Sequence, residues 1–285
     1  MKFGLISLDF RRWPLERCFA TAARYGYDGV EIWGGRPHAW PWDVGPKEVE
    51  EIAALRRRYD LETPMYTPAA LGMGLCLCTP RQPERHDALR HFERAIDAAA
   101  ALDITRVLVV VDHPGYDADG RESWKLLVDA AVALADYAAP KGVDLCFEPL
   151  TPLESPVLVT ADDCVALLED ADRPNICTML DVVPPTVVCE PLSSYFDKLG
   201  SHLAYVHLCG SDGVTDAHLE LDKGVLSVPD ALRTIKDCGY DGFVTVEQYS
   251  VSTRDPETLA AGTMRLLRSC LTDVESGATL QLRKQ

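Results

Sequence analysis

Four side chains able to bind a cation or move a proton each close a short apolar run: Glu148 in CFEPL, Asp181 in TMLD, His207 in YVHL and Glu247 in VTVE. Successive runs lie about one strand–helix unit apart. Three carboxylates and an imidazole brought to one place would repel one another or lose hydration unless a cation neutralised them. A hard divalent cation does this. Oxygen ligands with one nitrogen suit Mn²⁺, Mg²⁺ or Co²⁺ at least as well as Zn²⁺, and no cysteine joins the set. Any one of these residues alone has a plainer explanation, since strand-end acids often cap the next helix and a lone histidine is commonly a structural hydrogen-bonder. Their recurrence at the same end of four successive strands is what points to a shared metal site.

Other polar and aromatic residues fall at the same expected rim. Trp33, Arg36 and His38 lie in EIWGGRPHAW, Tyr66 ends the third apolar run, and His113 lies in VVVDHPGY. Aromatic faces against sugar C–H groups and donors to hydroxyls can line a pocket for a polar substrate, although each is equally explained as a loop residue packing the rim. His86 and His91 fall on a helix expected to be exposed, and His202 precedes the seventh strand. Those three are assigned no role.

The elements that would position these groups alternate regularly. Strand-like runs at Lys2 to Leu8, Gly29 to Trp33, Leu61 to Tyr66, Arg106 to Val111, Val143 to Glu148, Ile176 to Asp181, Tyr205 to Leu208 and Gly242 to Glu247 make eight. Helical patterns intervene at Leu15 to Tyr25, Pro46 to Tyr59, Glu84 to Leu102, Glu122 to Ala139, Ala161 to Glu169 and Val228 to Cys238, with Pro256 to Leu271 last. Thr160 is placed to cap the helix that begins at Ala161. Eight such units predict an α/β fold, a single (β/α)8 TIM barrel, whose active residues gather at the C-terminal ends of the strands. An open doubly wound sheet is the alternative, but no switch point or glycine-rich phosphate loop supports it. No linker divides the chain. Residues 1–271 are expected to form the catalytic barrel, and 272–285 a tail that frays or meets another subunit.

Composition narrows the partners. A formal net charge of −16 disfavours nucleic acid and anionic membranes as partners. The N-terminal apolar run is too short for a signal peptide, and no stretch is long enough to span a bilayer. A cytoplasmic location is expected. Most of the ten cysteines, Cys18, Cys146, Cys164, Cys177, Cys209, Cys238 and Cys270 among them, fall in apolar patterns and are expected as reduced core residues. The Cys76 and Cys78 pair lacks a second pair at zinc-like spacing.

The four candidate ligands, together with EIWGGRPHAW, EPLTPLES, SYFDKLG, SDGVTDAH and GYDGFVTVE, resemble the xylose isomerase-like barrel superfamily, particularly its fructoselysine 3-epimerase and ketose 3-epimerase branches. The resemblance runs from about residue 3 to 270. It implies a metal-dependent isomerase that inverts C3 of a ketose or ketoamine through an enediolate, with Mn²⁺ the first expectation and Mg²⁺, Co²⁺ or Zn²⁺ open. It further implies that Glu148 and Glu247 serve as the acid/base pair as well as ligands, that Glu154 helps arrange the site, and that Asp212, Asp216 and His218 bind the polar end of an aminated ketose. Barrels of this kind often form dimers or tetramers, which leaves a homo-oligomer open.

The chain departs from the ketose epimerase pattern at Pro184 and Gly213, where a His and an Arg are typical, and at LDKG from Leu221 to Gly224, where PGEG is typical. Aldose–ketose isomerisation, keto-inositol dehydration and C-glycoside cleavage therefore stay open on the same barrel. Further from it stand a phosphodiesterase of the DNA-repair endonuclease branch and a non-catalytic sugar-binding barrel.

Overall fold

The computed structural model describes residues 1–250 and 255–276. Among them eight parallel strands close into a barrel in chain order: β1 (Lys2–Ile6), β2 (Gly29–Gly34), β3 (Tyr66–Pro68), β4 (Arg106–Val110), β5 (Asp144–Glu148), β6 (Ile176–Asp181), β7 (Leu203–Leu208) and β8 (Phe243–Val246). Closure runs from Lys2 against Phe243 to Leu5 against Val246. The surrounding helices are α1 (Leu15–Tyr25), α2 (Pro46–Tyr59), α3 (Gln82–Ala101), α4 (Gly120–Ala138), α5 (Ala161–Ala171), α6 (Val183–Val188), α7 (Leu192–Leu199), α8 (Val228–Asp237) and α9 (Pro256–Ser276). This is the single TIM barrel that the alternation predicts. The last helix continues beyond Leu271, and residues 277–285 of the expected tail lie outside the described residues.

The strands are buried almost throughout because helices cover the outer face and side chains fill the inside, so both faces favour Val, Ile, Leu and Phe. Helices dock by one stripe. In α8 the buried residues Val228, Ala231, Leu232 and Ile235 recur at helical spacing. Thr160 caps α5 as expected: Thr160 Oγ1 accepts from the Asp163 amide at 3.2 Å, while Asp163 Oδ2 accepts from the Thr160 amide at 2.9 Å. Among the described residues no helix is long and apolar enough to cross a membrane, and no two cysteines are joined in a disulfide.

Several boundaries differ from the sequence expectation for local physical reasons. β1 stops at Ile6 because the next residues turn into a short 3-10 segment, and Ser7 Oγ accepts the Trp33 amide at 2.8 Å in place of a backbone carbonyl. The third strand starts at Tyr66 instead of Leu61: Pro64 has no amide to donate, and Glu62 makes only an isolated bridge to Gly29. Between β6 and β7 the chain forms α6 and α7, which the sequence reading left without a helix. His91 is buried against Trp40 and Phe92, where an exposed position was expected, and Cys238 is exposed where a core position was expected.

The long loop after β7 matters most for the site. It is pinned to the barrel by hydrogen bonds between Gly210 and Leu219, 3.1 and 2.8 Å, and by Val225 donating to the Ser211 carbonyl at 2.7 Å. A side chain at Gly210 would meet the carbonyl oxygens of Glu220 and Lys223 at 2.2 and 2.4 Å, so only glycine lets the loop pack this closely. Gly210→Ala is therefore expected to cost roughly 1–3 kcal/mol in urea denaturation. The control Gly120→Ala, where nothing lies within 4 Å, is expected to stay within about 0.5 kcal/mol of the parent. Equal midpoints for the two variants would show that the loop does not pack as described.

Candidate functional site

The C-terminal ends of β5 to β8 deliver Glu148, Asp181, His207 and Glu247 to one mouth, all of them buried. β6 and β7 run in register with Asp181 opposite His207, so adjacent strands present the two side chains at one level. The mouth opens into a cavity of about 340 Å³ whose lining includes Glu148, Glu154, Asp181, His218 and Glu247, with Trp33 and Tyr249 at its aromatic side.

The four expected ligands gather unequally. Glu148, His207 and Glu247 bring ligand-type atoms within 4.8 Å of one another. His207 Nδ1 lies 3.0 Å from Glu148 Oε1 and 2.9 Å from Glu247 Oε2. Asp181 belongs instead to a neighbouring group with Cys209 and His218. Its Oδ2 accepts from His218 Nε2 at 2.8 Å, and its Oδ1 accepts from the Val183 amide at 2.9 Å. His218 Nε2 also lies 3.7 Å from Glu247 Oε2, which links the two groups.

Electrostatics separate the two glutamates. Burial pushes the Glu148 carboxyl up to about 8, against the pull of its hydrogen bond to His207. Burial acts on Glu247 in the same direction, but attraction from His207 and His218 outweighs it and holds the group below its ordinary value. Burial alone would lower the His207 imidazolium, yet Glu31, Glu247 and the hydrogen bond to Glu148 carry it well above the usual histidine range. His218, under the opposing influences of burial and Asp181, is pushed up to about 10.

The donor set fits a hard divalent cation. Atoms bound about 2.1 Å from an octahedral ion stand roughly 3 Å apart at right angles, which is the spacing of His207 Nδ1 to the two glutamate oxygens. Two carboxylates and an imidazole, with Asp181 beside them, match such an ion in chemistry as well.

The remaining expected residues divide. Trp33, Glu154 and His218 line the cavity. Glu154 Oε2 accepts from the Thr151 amide and hydroxyl at 3.0 and 2.9 Å, and burial raises its carboxyl. Arg36 points away, exposed and paired with Asp43 at 2.7 Å. His38 packs beneath the rim, Nε2 at 2.9 Å from the Trp13 carbonyl and Nδ1 at 3.2 Å from Ser7 Oγ, which itself holds the Trp33 amide. Tyr66 begins its strand and is fully buried, its hydroxyl donating to the Ala39 carbonyl. His113 accepts the Gly115 amide at 2.9 Å and packs at a tilt against the Tyr116 ring. Asp212 closes its own turn through the Val214 and Thr215 amides, and Asp216 contributes its backbone carbonyl to His218 Nδ1 at 3.0 Å.

Sequence reasoning missed Glu31. It lies inside β2, fully buried, with its two oxygens 3.1 and 3.0 Å from His207 Nε2. An acid in the otherwise apolar run GVEIWG was the available signal. Leu71, Met73 and Tyr249, from loops beyond β3 and β8, were also missed as cavity walls.

The chain is 34% identical over 275 residues to fructoselysine 3-epimerase of Shigella flexneri, covering 96% of this chain and 100% of the relative. It is 25% identical over 277 residues to L-ribulose 3-epimerase of a Methylomonas species, covering 94% and 90%. A solved D-tagatose 3-epimerase-like protein superimposes with a TM-score of 0.82 at 21% identity, covering 98% of this chain and 100% of that one. Epimerases are isomerases, and the chain is an enzyme of that class. The model of the xylose isomerase-like TIM barrel family matches residues 19–270, and with the closed barrel and the acidic mouth already described, the chain belongs to that family.

Proposed function

We propose that the protein is a metal-dependent 3-epimerase acting on an unphosphorylated ketose or ketoamine. The observation that carries this reading is the pair Glu148 and Glu247, both against one nitrogen of His207 at the base of the cavity. Glu148, Asp181, His207 and Glu247 would hold a divalent cation, Mn²⁺ by preference, which supplies Lewis acidity that makes a C–H beside a carbonyl removable.

The chain's own groups account for the proton traffic. Glu247, held in its ionised form by the two histidines, suits the base that takes the C3 proton. Glu148 suits the acid that returns a proton on the other face. In the reverse direction the roles exchange. Glu154, Asp181 and His218 surround the sugar with polar contacts, while Leu71, Met73, Leu108, Val110 and Leu150 form an apolar wall. No lysine or arginine stands among the described lining residues. A phosphate group would meet carboxylates there without a cationic side-chain partner other than His218, whereas a neutral ketose or the ammonium of a ketoamine suits the field.

Mn²⁺-loaded enzyme incubated with fructoselysine and a panel of free ketoses in deuterium oxide is expected to give product inverted at C3 and deuterated there, read by NMR. Glu148→Gln and Glu247→Gln, compared at equal bound Mn²⁺, are expected to lose about 10²- to 10⁴-fold in rate. Inversion with no solvent hydrogen in the product would overturn the two-glutamate scheme.

The same site predicts a pH dependence. Glu148, pushed up to about 8, and His207, carried well above the usual histidine range, hold protons in the metal-free site that an entering cation must displace. Mn²⁺ affinity is expected to rise with pH between about 6 and 8, by about tenfold per unit for each proton released. Calorimetric titration in buffers of different ionisation enthalpy checks this, and an affinity independent of pH would contradict it.

A further inference from the structure

Glu31 has no part in the proton transfers described above, yet it occupies a costly position. A carboxylate enclosed in a barrel interior requires compensating partners, and Glu31 draws them from different strands. Thr67 Oγ1, on β3, donates to Glu31 Oε1, and His207 Nε2, on β7, lies 3.1 and 3.0 Å from the two oxygens. β2 and β7 are not neighbours in the sheet, so Glu31 meets the imidazole across the barrel interior, from behind.

That contact decides which way the ring presents itself. Both Glu31 oxygens face Nε2, so that nitrogen donates to them and the opposite nitrogen, Nδ1, faces Glu148 and Glu247. Tyr205 closes the ring from the side, edge-on at 5.6 Å between centroids, its own hydroxyl engaged with Thr245. The ring is therefore held on its far side by Glu31 and on its flank by Tyr205, with Nδ1 turned to Glu148 and Glu247.

We propose that Glu31 is a positioning residue for the metal site, fixing His207 so that Nδ1 offers its lone pair to a divalent cation shared with Glu148 and Glu247. This rests on the metal reading given under the proposed function. A carboxylate behind a ligating histidine orients the ring and strengthens it as a ligand, and Thr67 holds that carboxylate in turn.

Calorimetric titration of the full chain with Mn²⁺ tests the assignment without recourse to turnover. Glu31→Ala is expected to weaken Mn²⁺ binding roughly 10- to 100-fold, and Glu31→Gln, which keeps an oxygen to accept from Nε2, to recover part of that loss. A folded Glu31→Ala that binds Mn²⁺ as tightly as the parent, even with a lowered melting temperature, overturns the proposal, because a purely structural acid would act on stability alone. A Gln variant as weak as the Ala variant overturns it too, since the hydrogen bond would then be immaterial. Should Glu31→Ala fail to fold, Thr67→Val removes the hydroxyl that steadies Glu31; a several-fold weaker Mn²⁺ affinity is expected, and an unchanged one overturns the proposal. Parent protein that takes up no Mn²⁺ at millimolar concentration fails differently: it removes the metal reading itself, and the role of Glu31 with it.

Discussion

The arrangement depends on one buried imidazole surrounded by acids. His207 touches Glu31 through one nitrogen and both Glu148 and Glu247 through the other, and none of the four is appreciably exposed. Any one of these carboxylates without its partners would cost several kcal/mol to bury. Together they form a network in which each group justifies the next, and removing the imidazole would leave three acids facing one another. The barrel therefore has to place four strand positions to within a few tenths of an ångström, and its closure in chain order is what makes that placement repeatable.

The surrounding polar residues extend the same constraint outward. Thr67 satisfies the far side of Glu31, and Ser7 joins the end of the first strand to Trp33 and His38. Loop residues do the same for Asp181: His218 reaches it only because the segment after β7 folds back through Gly210 and Leu219. His38 and Tyr66 thus shape the cavity from below without entering it. Aromatic and histidine residues near a barrel mouth divide into those that present a surface and those that hold the presenting residue in place, and hydrogen-bond partners tell the two apart where residue type cannot.

Much of this was legible in the sequence. Eight alternations of apolar run and helical pattern suffice for a barrel, and a strand-end rule locates Glu148, Asp181, His207 and Glu247 because parallel strands all finish at one face. What escaped was contact that depends on three dimensions. Glu31 sits within its strand, so no end rule selects it, and its partner is 176 positions away in the chain. Asp181 looked like an equal member of the ligand set, while its pairing with His218 depends on the path of a long loop that period and propensity do not describe. The third strand was placed too early because Leu61 to Tyr66 is apolar enough to pair, and only the missing amide of Pro64 argued otherwise.

The electrostatic difference between the two glutamates also originates outside the strands that carry them. Both are buried and both touch His207 Nδ1, so position on the barrel gives them the same environment to first order. The difference is His218, whose charge lies 3.7 Å from Glu247 Oε2 and adds to that of His207. Glu148, pushed up to about 8 by burial, is drawn down by His207 and feels the negative charges of Glu247 and Asp181 besides. A nearly symmetric pair of carboxylates thus differs in its neighbours by one loop residue, His218. The strands set where the two groups stand; the loop after β7, through the close approach that Gly210 allows, sets which charge stands beside Glu247.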